Sequence, residues 1–309
     1  MRSFRLFLFL VLTAIAARAK PQVVTTHTVL TDLVSVIAGD RVEVNCLLPI
    51  NLDPHSYEPK PADIRLLAHA DLVVINGLGL EPWADKVIAN SGFHGPVVKA
   101  AGTVLHPLVA TGASHDDERT YPDDHYDPHA WHNPKNVRQY VAVIRDALIQ
   151  ILPAEADFIK ANTARYLDEL DALDQYAKTQ FETLAPAQRK LVTSHDSLRY
   201  LAEAYNLTIV PVAGTRPDQE PSAHQLAELI GFIRQQNVRA VFFEATTNAK
   251  LVELVAKEAG VTVVGELYTD SLGPAGTAGA TYLGMFRSNV DTIVSALRGT
   301  ERPVASSGQ

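Results

Sequence analysis

The chain of 309 residues has little cysteine and no surplus of basic residues, and each shortage excludes a class of protein. Its one cysteine, Cys46, cannot form an internal disulfide and excludes a cysteine-rich zinc or iron–sulfur site. The 27 Lys and Arg residues against 35 Asp and Glu residues give a formal net charge of −8. An acidic chain without a basic stripe is not typical of a nucleic-acid-binding protein. The hydrophobic fraction of 47% favours a folded globular chain.

Familiar nucleotide-binding and hydrolase motifs are also missing from the sequence. Gly77-Leu78-Gly79 begins like a dinucleotide-binding fingerprint, but Pro82 stands where its third glycine belongs. No glycine-rich loop is followed by a Walker lysine, and neither Gly-x-Ser-x-Gly nor His-Glu-x-x-His occurs. Ser194-His195-Asp196 is not a catalytic triad, because adjacent side chains cannot adopt the required geometry.

The start of the chain has the pattern of a secretory signal peptide. Two arginines precede an uncharged run at 6–17, and Ala17-Arg18-Ala19 then matches a small-x-small cleavage site. The run is shorter than the roughly 20 residues that a transmembrane helix needs. We therefore expect residues 1–19 to be a signal peptide. Because no cysteine lies near the predicted cut, we expect a periplasmic protein without a lipid anchor.

Short strand-like segments alternate with amphipathic helical ones along the rest of the chain. The strand-like segments fall at 22–26, 42–49, 71–76, 96–99, 190–193, 208–212, 239–243 and 261–266. Helical patterns such as 225–236 and 249–259 separate them, which predicts βαβ units and parallel sheets. Since the strands form two sets, we predict an α/β fold with two lobes, each a mostly parallel sheet flanked by helices.

A long helical segment lies between the two sets of strands. Pro153 precedes it, Pro186 follows it, and apolar residues recur between them at helical spacing. A helix over 154–184 would span about 46 Å, so we predict a rigid backbone helix that joins the lobes. The pattern also fits a helix that lies on one lobe. The predicted domains are an N-terminal lobe at 20–152, the linking helix at 153–185 and a C-terminal lobe at 186–309.

Histidine, the commonest protein ligand of transition metals, is abundant and clustered. Five of the 11 histidines fall within 27 residues, at His106, His115, His125, His129 and His132. The segment 111–127 is almost free of apolar residues and carries six acidic ones, which predicts a loop. It acts either as a weak metal collector or as a solvated loop without function. We interpret His69 and His132 as structural or solvated.

Four chemistry-bearing residues stand at equivalent places in the predicted lobes. His55, His195 and Asp270 each follow a predicted strand, and His129 stands just before a helix. Ligands bind beyond the carboxyl ends of strands in open α/β sheets. Because each lobe supplies two of the residues, the cleft between the lobes is their natural meeting place. Three imidazoles and one carboxylate suit Zn²⁺ or Mn²⁺.

Each of these residues also has a purely structural interpretation. His55 fits a surface or capping histidine, His195 fits a helix cap, and Asp270 fits an N-cap or turn residue. One shared site, however, explains all four positions together.

Five segments resemble the substrate-binding proteins of bacterial zinc and manganese ABC importers. They are PHSYEPKPADI (54–64), NGLGLEPW (76–83), DPHAWHNPKN (127–136), TSHDSLRYLAEAYNL (193–207) and ELYTDSLGPAGTAGATYLGMFRSNVDTIV (266–294). The resemblance implies two α/β lobes joined by a rigid backbone helix, with the metal held between them. It also implies that the four metal ligands are His55, His129, His195 and Asp270.

The resemblance further implies a zinc-binding receptor, not an enzyme, that delivers Zn²⁺ to the membrane permease of an ABC importer. His195 favours Zn²⁺ over the harder Mn²⁺, because manganese-binding relatives commonly have a glutamate there. Dual-specific relatives share the same four ligands, so a manganese or dual receptor, including an adhesin-like surface protein, is one alternative. A secreted zinc hydrolase, which would need an open coordination position, is another.

The expected partners are the permease and a periplasmic zinc metallochaperone that docks on 111–127, and the chain is expected to be a monomer. Glu58, Arg216 and Glu244 are candidates for supporting contacts beside the metal ligands.

Overall fold

The structure is a computed structural model that describes residues 19–110, 125–213, 221–244, 249–261 and 263–299. The predicted signal peptide, apart from its last residue, lies outside the described residues. So do residues 111–124 of the predicted loop, and Arg216.

The N-terminal lobe is built on a parallel sheet whose central strands are buried. Its strands are β1 (Gln22–Thr25), β2 (Glu43–Cys46), β3 (Leu72–Ile75) and β4 (Val97–Lys99). They lie in the order β2-β1-β3-β4, and every pair is parallel. The sequence of β3 is Leu-Val-Val-Ile and all four side chains are buried, as is typical of a parallel strand covered on both faces.

The C-terminal lobe repeats this arrangement. Its strands are β5 (Lys190–Thr193), β6 (Thr208–Pro211), β7 (Ala240–Glu244) and β8 (Val263–Leu267). They lie in the order β6-β5-β7-β8, again with every pair parallel. The two sheets therefore share one topology, which brings the carboxyl ends of corresponding strands to corresponding edges. The predicted α/β fold with two parallel sheets flanked by helices is confirmed.

Nine helices cover these sheets in the described part of the chain. They are α1 (Thr28–Ala38), α2 (Pro61–Ala68), α3 (Ala84–Asn90), α4 (Pro134–Ile151), α5 (Ala156–Glu182), α6 (Arg199–Tyr205), α7 (Ala223–Gln235), α8 (Ala249–Ala259) and α9 (Tyr282–Arg298). The start of α4 is well specified, because Asn133 accepts the backbone N–H of Lys135 at 3.0 Å and Pro134 follows at the first helical position. Among these helices, none combines the length and apolar character needed to cross a membrane.

Helix α5 contacts both lobes. It has 27 residues and is about 40 Å long. Asn162 donates its side-chain N–H to the carbonyl oxygen of Ile37 on α1 at 3.1 Å. Further along, the hydroxyl of Tyr176 donates to Asp291 on α9. The helix thus bridges the lobes, while the exact domain boundaries given above stay a prediction.

One hydrophobic cluster continues from the N-terminal lobe through α5 into the C-terminal lobe. It includes Trp131 between the lobes, Tyr166 on α5 and Tyr282 at the start of α9, all fully buried. A shared core of this kind resists separation of the lobes, since opening them would expose apolar surface to water.

Candidate metal centre

The four predicted ligands meet in one cluster between the lobes. One ligand atom from each side chain lies within 4.8 Å of those of the other three, in the set His55, His129, His195 and Asp270. Nε2 of His55 is 3.2 Å from Nε2 of His129. Oδ1 of Asp270 is 3.5 Å from Nε2 of His129, and Oδ2 is 3.2 Å from Nε2 of His195. All four side chains are buried.

These separations fit a single small cation. Atoms that bind Zn²⁺ tetrahedrally at about 2.0–2.1 Å lie roughly 3.3 Å from one another. Both carboxylate oxygens of Asp270 are buried, and no donor of good hydrogen-bond geometry reaches them among the described residues. A buried carboxylate in that position is costly unless a cation compensates it. The cluster therefore has the shape and the charge of a four-coordinate divalent metal site.

Two Asp-Pro-His turns position the histidines of the N-terminal lobe. The backbone N–H of His55 donates to Oδ1 of Asp53 at 2.9 Å, and that of His129 donates to Oδ1 of Asp127 at 3.0 Å. Each aspartate side chain thus closes a turn two residues ahead of itself. Neither aspartate was predicted from the sequence, although the repeated Asp-Pro-His tripeptide is a signal that identifies both.

The two turns differ in what else the aspartate contacts. Oδ1 of Asp127 is also 2.8 Å from Nδ1 of His129, which directs Nε2 of that ring into the cluster. Asp53 instead accepts a hydrogen bond from the hydroxyl of Ser56 at 2.7 Å. The ring orientation of His129 is therefore set by its own turn.

Adjacent strands position the corresponding pair in the C-terminal lobe. His195 follows β5 and Glu244 ends β7, and these strands are neighbours in the sheet. Nδ1 of His195 is 2.6 Å from Oε2 of Glu244, and the backbone N–H of His195 donates to Oε1 at 2.9 Å. The hydroxyls of Ser194 and Ser197 donate to the same carboxylate at 2.9 and 3.0 Å. Glu244, a predicted supporting residue, thus lies directly behind His195, a predicted ligand.

Charges inside the cluster are strongly coupled. Burial opposes ionisation of Asp270 and Glu244, but the attraction and hydrogen bonding of His195, joined at Asp270 by attraction to His129 and His55, together hold the pKa of each carboxyl below its usual range. Burial likewise lowers the pKa of His195, but Glu244 and Asp270 outweigh it and raise that pKa well above its usual range. The cluster therefore favours bound positive charge, which a divalent cation supplies.

The remaining candidates lie outside the cluster. Glu58 is exposed on the loop after His55, and so is His69 on the surface of the same lobe. His132 is buried with its ring centroid 5.4 Å from that of Trp131, and burial lowers its pKa to about 3. His132 is therefore a neutral structural residue beside the site.

Two α/β lobes with a buried centre of three imidazoles and one carboxylate between them define a two-lobed metal-binding protein. The family model described as "Zinc-uptake complex component A periplasmic" matches residues 23–296. The chain belongs to this family. Its members are substrate-binding components of metal ABC transporters rather than enzymes.

Relatives and a solved structure support this placement. The chain is 35% identical over 277 residues to the manganese-binding lipoprotein MntA of Halalkalibacterium halodurans, covering 89% of this chain and 88% of MntA. It is 33% identical over 287 residues to the zinc-binding protein TroA of Treponema pallidum, covering 91% and 90%. The structure of TroA matches with a TM-score of 0.82 at 32% identity, covering 90% of this chain and 99% of TroA.

The predicted localisation without a lipid anchor is wrong by this comparison. MntA is a lipoprotein, and so is FimA of Streptococcus parasanguinis, which is 30% identical over 286 residues and covers 91% of this chain and 90% of FimA. The prediction depended on the absence of one residue type beside a predicted cleavage site. That segment, up to residue 18, lies outside the described residues, so its chemistry had no structural support.

The fold, the site and the family together identify a divalent-metal receptor of an ABC importer, which works with a membrane permease. The relatives do not agree on one metal. MntA is named for manganese and TroA for zinc, and another relative is named for iron.

Proposed function

We propose that this chain captures Zn²⁺ between its lobes and delivers it to the permease of its importer. The proposed ligands are Nε2 of His55, His129 and His195 and the carboxylate of Asp270. The convergence of these four buried side chains within 4.8 Å carries the proposal.

The kind and number of ligand atoms support zinc. Three neutral imidazoles with one carboxylate form a borderline-soft, four-coordinate set, which matches the preference of Zn²⁺. Mn²⁺ prefers more oxygen ligands and octahedral coordination. The family description and the name of TroA are consistent with zinc as cargo.

Manganese is the second candidate, and one observation favours it. Both oxygens of Asp270 face imidazoles, Oδ1 towards His129 at 3.5 Å and Oδ2 towards His195 at 3.2 Å. A carboxylate that binds through both oxygens would raise the coordination number to five and harden the site. MntA, named for manganese, is 35% identical to this chain.

Complete coordination by protein atoms suits capture and transfer better than catalysis. A site closed by four protein ligands leaves no position for a metal-activated water, which a hydrolase would need.

The proposed domains are the N-terminal lobe at 20–152, the linking helix at 153–185 and the C-terminal lobe at 186–309. A monomeric state and a metallochaperone that docks on 111–127 are proposed with them.

Metal analysis and competitive titration of the purified full chain test this function. We expect one Zn²⁺ per chain, bound more tightly than Mn²⁺. His195→Ala should weaken binding by at least about a hundredfold, because it removes a ligand and leaves Glu244 and Asp270 without their shared partner. His69→Ala, which changes an exposed histidine, is the matched control and should bind like the wild type.

The outcomes separate the two metals from failure of the site. Tighter binding of Mn²⁺ would replace zinc as the cargo and keep the transport role. A wild type without stoichiometric metal, or a His195→Ala variant with unchanged affinity, would overturn the proposed site.

A further inference from the structure

Three of the four proposed ligands follow a residue whose carbonyl oxygen is held by a side chain from elsewhere in the chain. Nε1 of Trp83 donates to the carbonyl of Pro54, just before His55, at 2.9 Å. Nδ2 of Asn76 donates to the carbonyl of Pro128, just before His129, at 3.0 Å. Nε1 of Trp131 donates to the carbonyl of Thr269, just before Asp270, at 3.0 Å. The two tryptophans are the only two in the chain.

Trp131 differs from the other two donors because its hydrogen bond crosses between the lobes. Trp83 and Asn76 hold segments of their own lobe, whereas Trp131 belongs to the N-terminal lobe and holds a segment of the C-terminal lobe. Trp131 is completely buried, and its ring centroid is 5.3 Å from that of His129. Its own carbonyl oxygen accepts the hydroxyl of Tyr282 at 2.8 Å. One residue thus contacts a ligand of its own lobe and the chain segment that carries the ligand of the other.

Other groups of the N-terminal lobe hold the same segment, residues 269–272. The backbone N–H of Leu272 donates to Oγ1 of Thr28 at 2.8 Å. The backbone N–H of Asn51 donates to the hydroxyl oxygen of Ser271 at 3.0 Å. The Asp270 carboxylate itself meets no well-placed donor among the described residues. Its position therefore depends on a backbone segment that the opposite lobe fixes on both sides.

We propose that Trp131 is a positioning residue which, with Thr28, places the Asp270 carboxylate against the three imidazoles. The fourth metal bond then depends on hydrogen bonds that the N-terminal lobe makes to the segment carrying Asp270. This proposal rests on the proposed function, since it assigns Asp270 to the metal. Asp270 is the only anionic ligand in the set, so Trp131 controls the affinity and the hardness of the site from outside it.

A role in packing alone is the competing explanation, because a buried indole N–H needs an acceptor wherever one is available. The two explanations differ in their dependence on Asp270. If Trp131 acts through Asp270, its loss has no further effect once the carboxylate is gone. If it only packs, its loss weakens binding by the same factor in either background.

A double-mutant cycle with Co²⁺ as the probe metal makes this distinction. The variants are Trp131→Phe, Asp270→Ala and the pair together, each measured for Co²⁺ affinity and for its visible absorption spectrum. We expect Trp131→Phe to weaken binding about tenfold and to move the spectrum towards that of Asp270→Ala. In the Asp270→Ala background the same substitution should change the affinity less than about twofold.

Trp83→Phe is the matched control, because it removes the same N–H group from the carbonyl before His55. Its effect should be equal with and without Asp270. Thr28→Val removes the acceptor for the backbone N–H of Leu272 at nearly constant volume. It replaces Trp131→Phe in the double-mutant cycle if that variant does not fold. Its effect on Co²⁺ affinity should show the same dependence on Asp270. Circular dichroism checks the fold of each variant.

Each outcome has one meaning. Equal factors for Trp131→Phe in the two backgrounds, or a wild-type spectrum in that variant, would overturn the positioning role while the metal site stands. If Trp131→Phe does not fold, equal factors for Thr28→Val would overturn it in the same way. A wild type that binds no Co²⁺ would overturn the proposed function and this proposal with it.

Discussion

The two halves of the metal site reach the same arrangement by different routes. In the N-terminal lobe, the carboxylate behind His129 is Asp127, two positions earlier in the same turn. In the C-terminal lobe, the carboxylate behind His195 is Glu244, which stands 49 positions away on a neighbouring strand. The first pair is a property of a tripeptide and the second is a property of the sheet.

The difference shows where each half is vulnerable. Glu244 holds the ring and backbone of His195 together with the hydroxyls of Ser194 and Ser197. Asp127 holds the ring and backbone of His129, whose turn also has other support from Asn76. A change at Glu244 therefore disturbs a longer segment than a change at Asp127.

Removal of the metal should have the largest effect and should affect both halves, because each lobe supplies two of the proposed ligands. We compare the metal-free protein, prepared with a chelator, with the protein at a Zn²⁺ concentration a thousandfold above its dissociation constant. The free energy of unfolding should be about 4 kcal/mol lower in the metal-free protein. Hydrogen exchange of β3 and β7, measured with Zn²⁺ and with chelator, checks this. Protection of only one sheet by metal would mean that the ion does not join the lobes.

Substitution of Glu244 should come next. Glu244→Gln keeps the shape but removes the charge that orients His195, so we expect metal affinity to fall by about 10- to 100-fold. Competitive titration gives the affinity, and Glu266→Gln on an exposed position of β8 is the matched control. An affinity within a factor of two of the wild type would show that orientation by the neighbouring strand is unimportant.

Acid should destabilise the metal-free protein through His27. Burial lowers the pKa of His27 to about 3, and neither ring nitrogen has a hydrogen-bond partner among the described residues. Below about pH 6.5 the unfolded chain takes up a proton that the folded chain does not, so stability falls with decreasing pH by up to about 1.4 kcal/mol per unit. His195, whose pKa is raised, acts in the opposite sense in the other half.

The dependence of stability on pH is measured by denaturant unfolding of the chelated protein between pH 5 and about 6.5, the ordinary pKa of histidine. His27→Phe should reduce the slope but not abolish it, because burial also lowers the pKa of His132 to about 3. His69→Gln at an exposed position should leave the slope unchanged. Identical slopes for His27→Phe and the wild type would contradict the assignment to His27.

The smallest effect compares the two Asp-Pro-His turns of the N-terminal lobe. Asp127→Asn should weaken metal binding about tenfold because Asp127 contacts the ring of His129. Asp53→Asn should change affinity less than about threefold, because the hydrogen bonds of Asp53 among the described residues come from the backbone N–H of His55 and the hydroxyl of Ser56. Metal titration of the two variants under the same conditions makes the comparison. Equal losses of metal affinity would mean that the turns, rather than the ring contact of Asp127, determine affinity.

Much of this molecule could be predicted from local patterns. The strand at 190–193 and the helix at 249–259 were predicted with the bounds that the structure shows, since each is a short apolar run or a periodic face between clear breaks. The strand predicted at 42–49 ends earlier, at Cys46. Leu47 and Leu48 beyond it are still buried, and they pack in one cluster with Val24 of β1 and Val73 of β3.

The meeting of His55, His129, His195 and Asp270 could be predicted, because ligands of open α/β sheets bind beyond the carboxyl ends of strands and each lobe supplies two of the four side chains. Their role as metal ligands stays a prediction. Asp53 and Asp127 could also have been found, because their turns are encoded within three residues. The contact of Glu244 with His195 at 2.6 Å could not have been found in this way, because it depends on β5 and β7 being neighbours in the sheet.

The sequence by itself determined the two α/β lobes, the long helix between them and the residues that supply imidazole and carboxylate groups. These follow from periodicity, breaks and side-chain chemistry, which are local. Only the tertiary structure decided that the four groups approach within 4.8 Å and that Trp131 reaches Thr269 across the lobes. Such distances depend on how two separately formed sheets pack, and no short stretch of sequence contains that information.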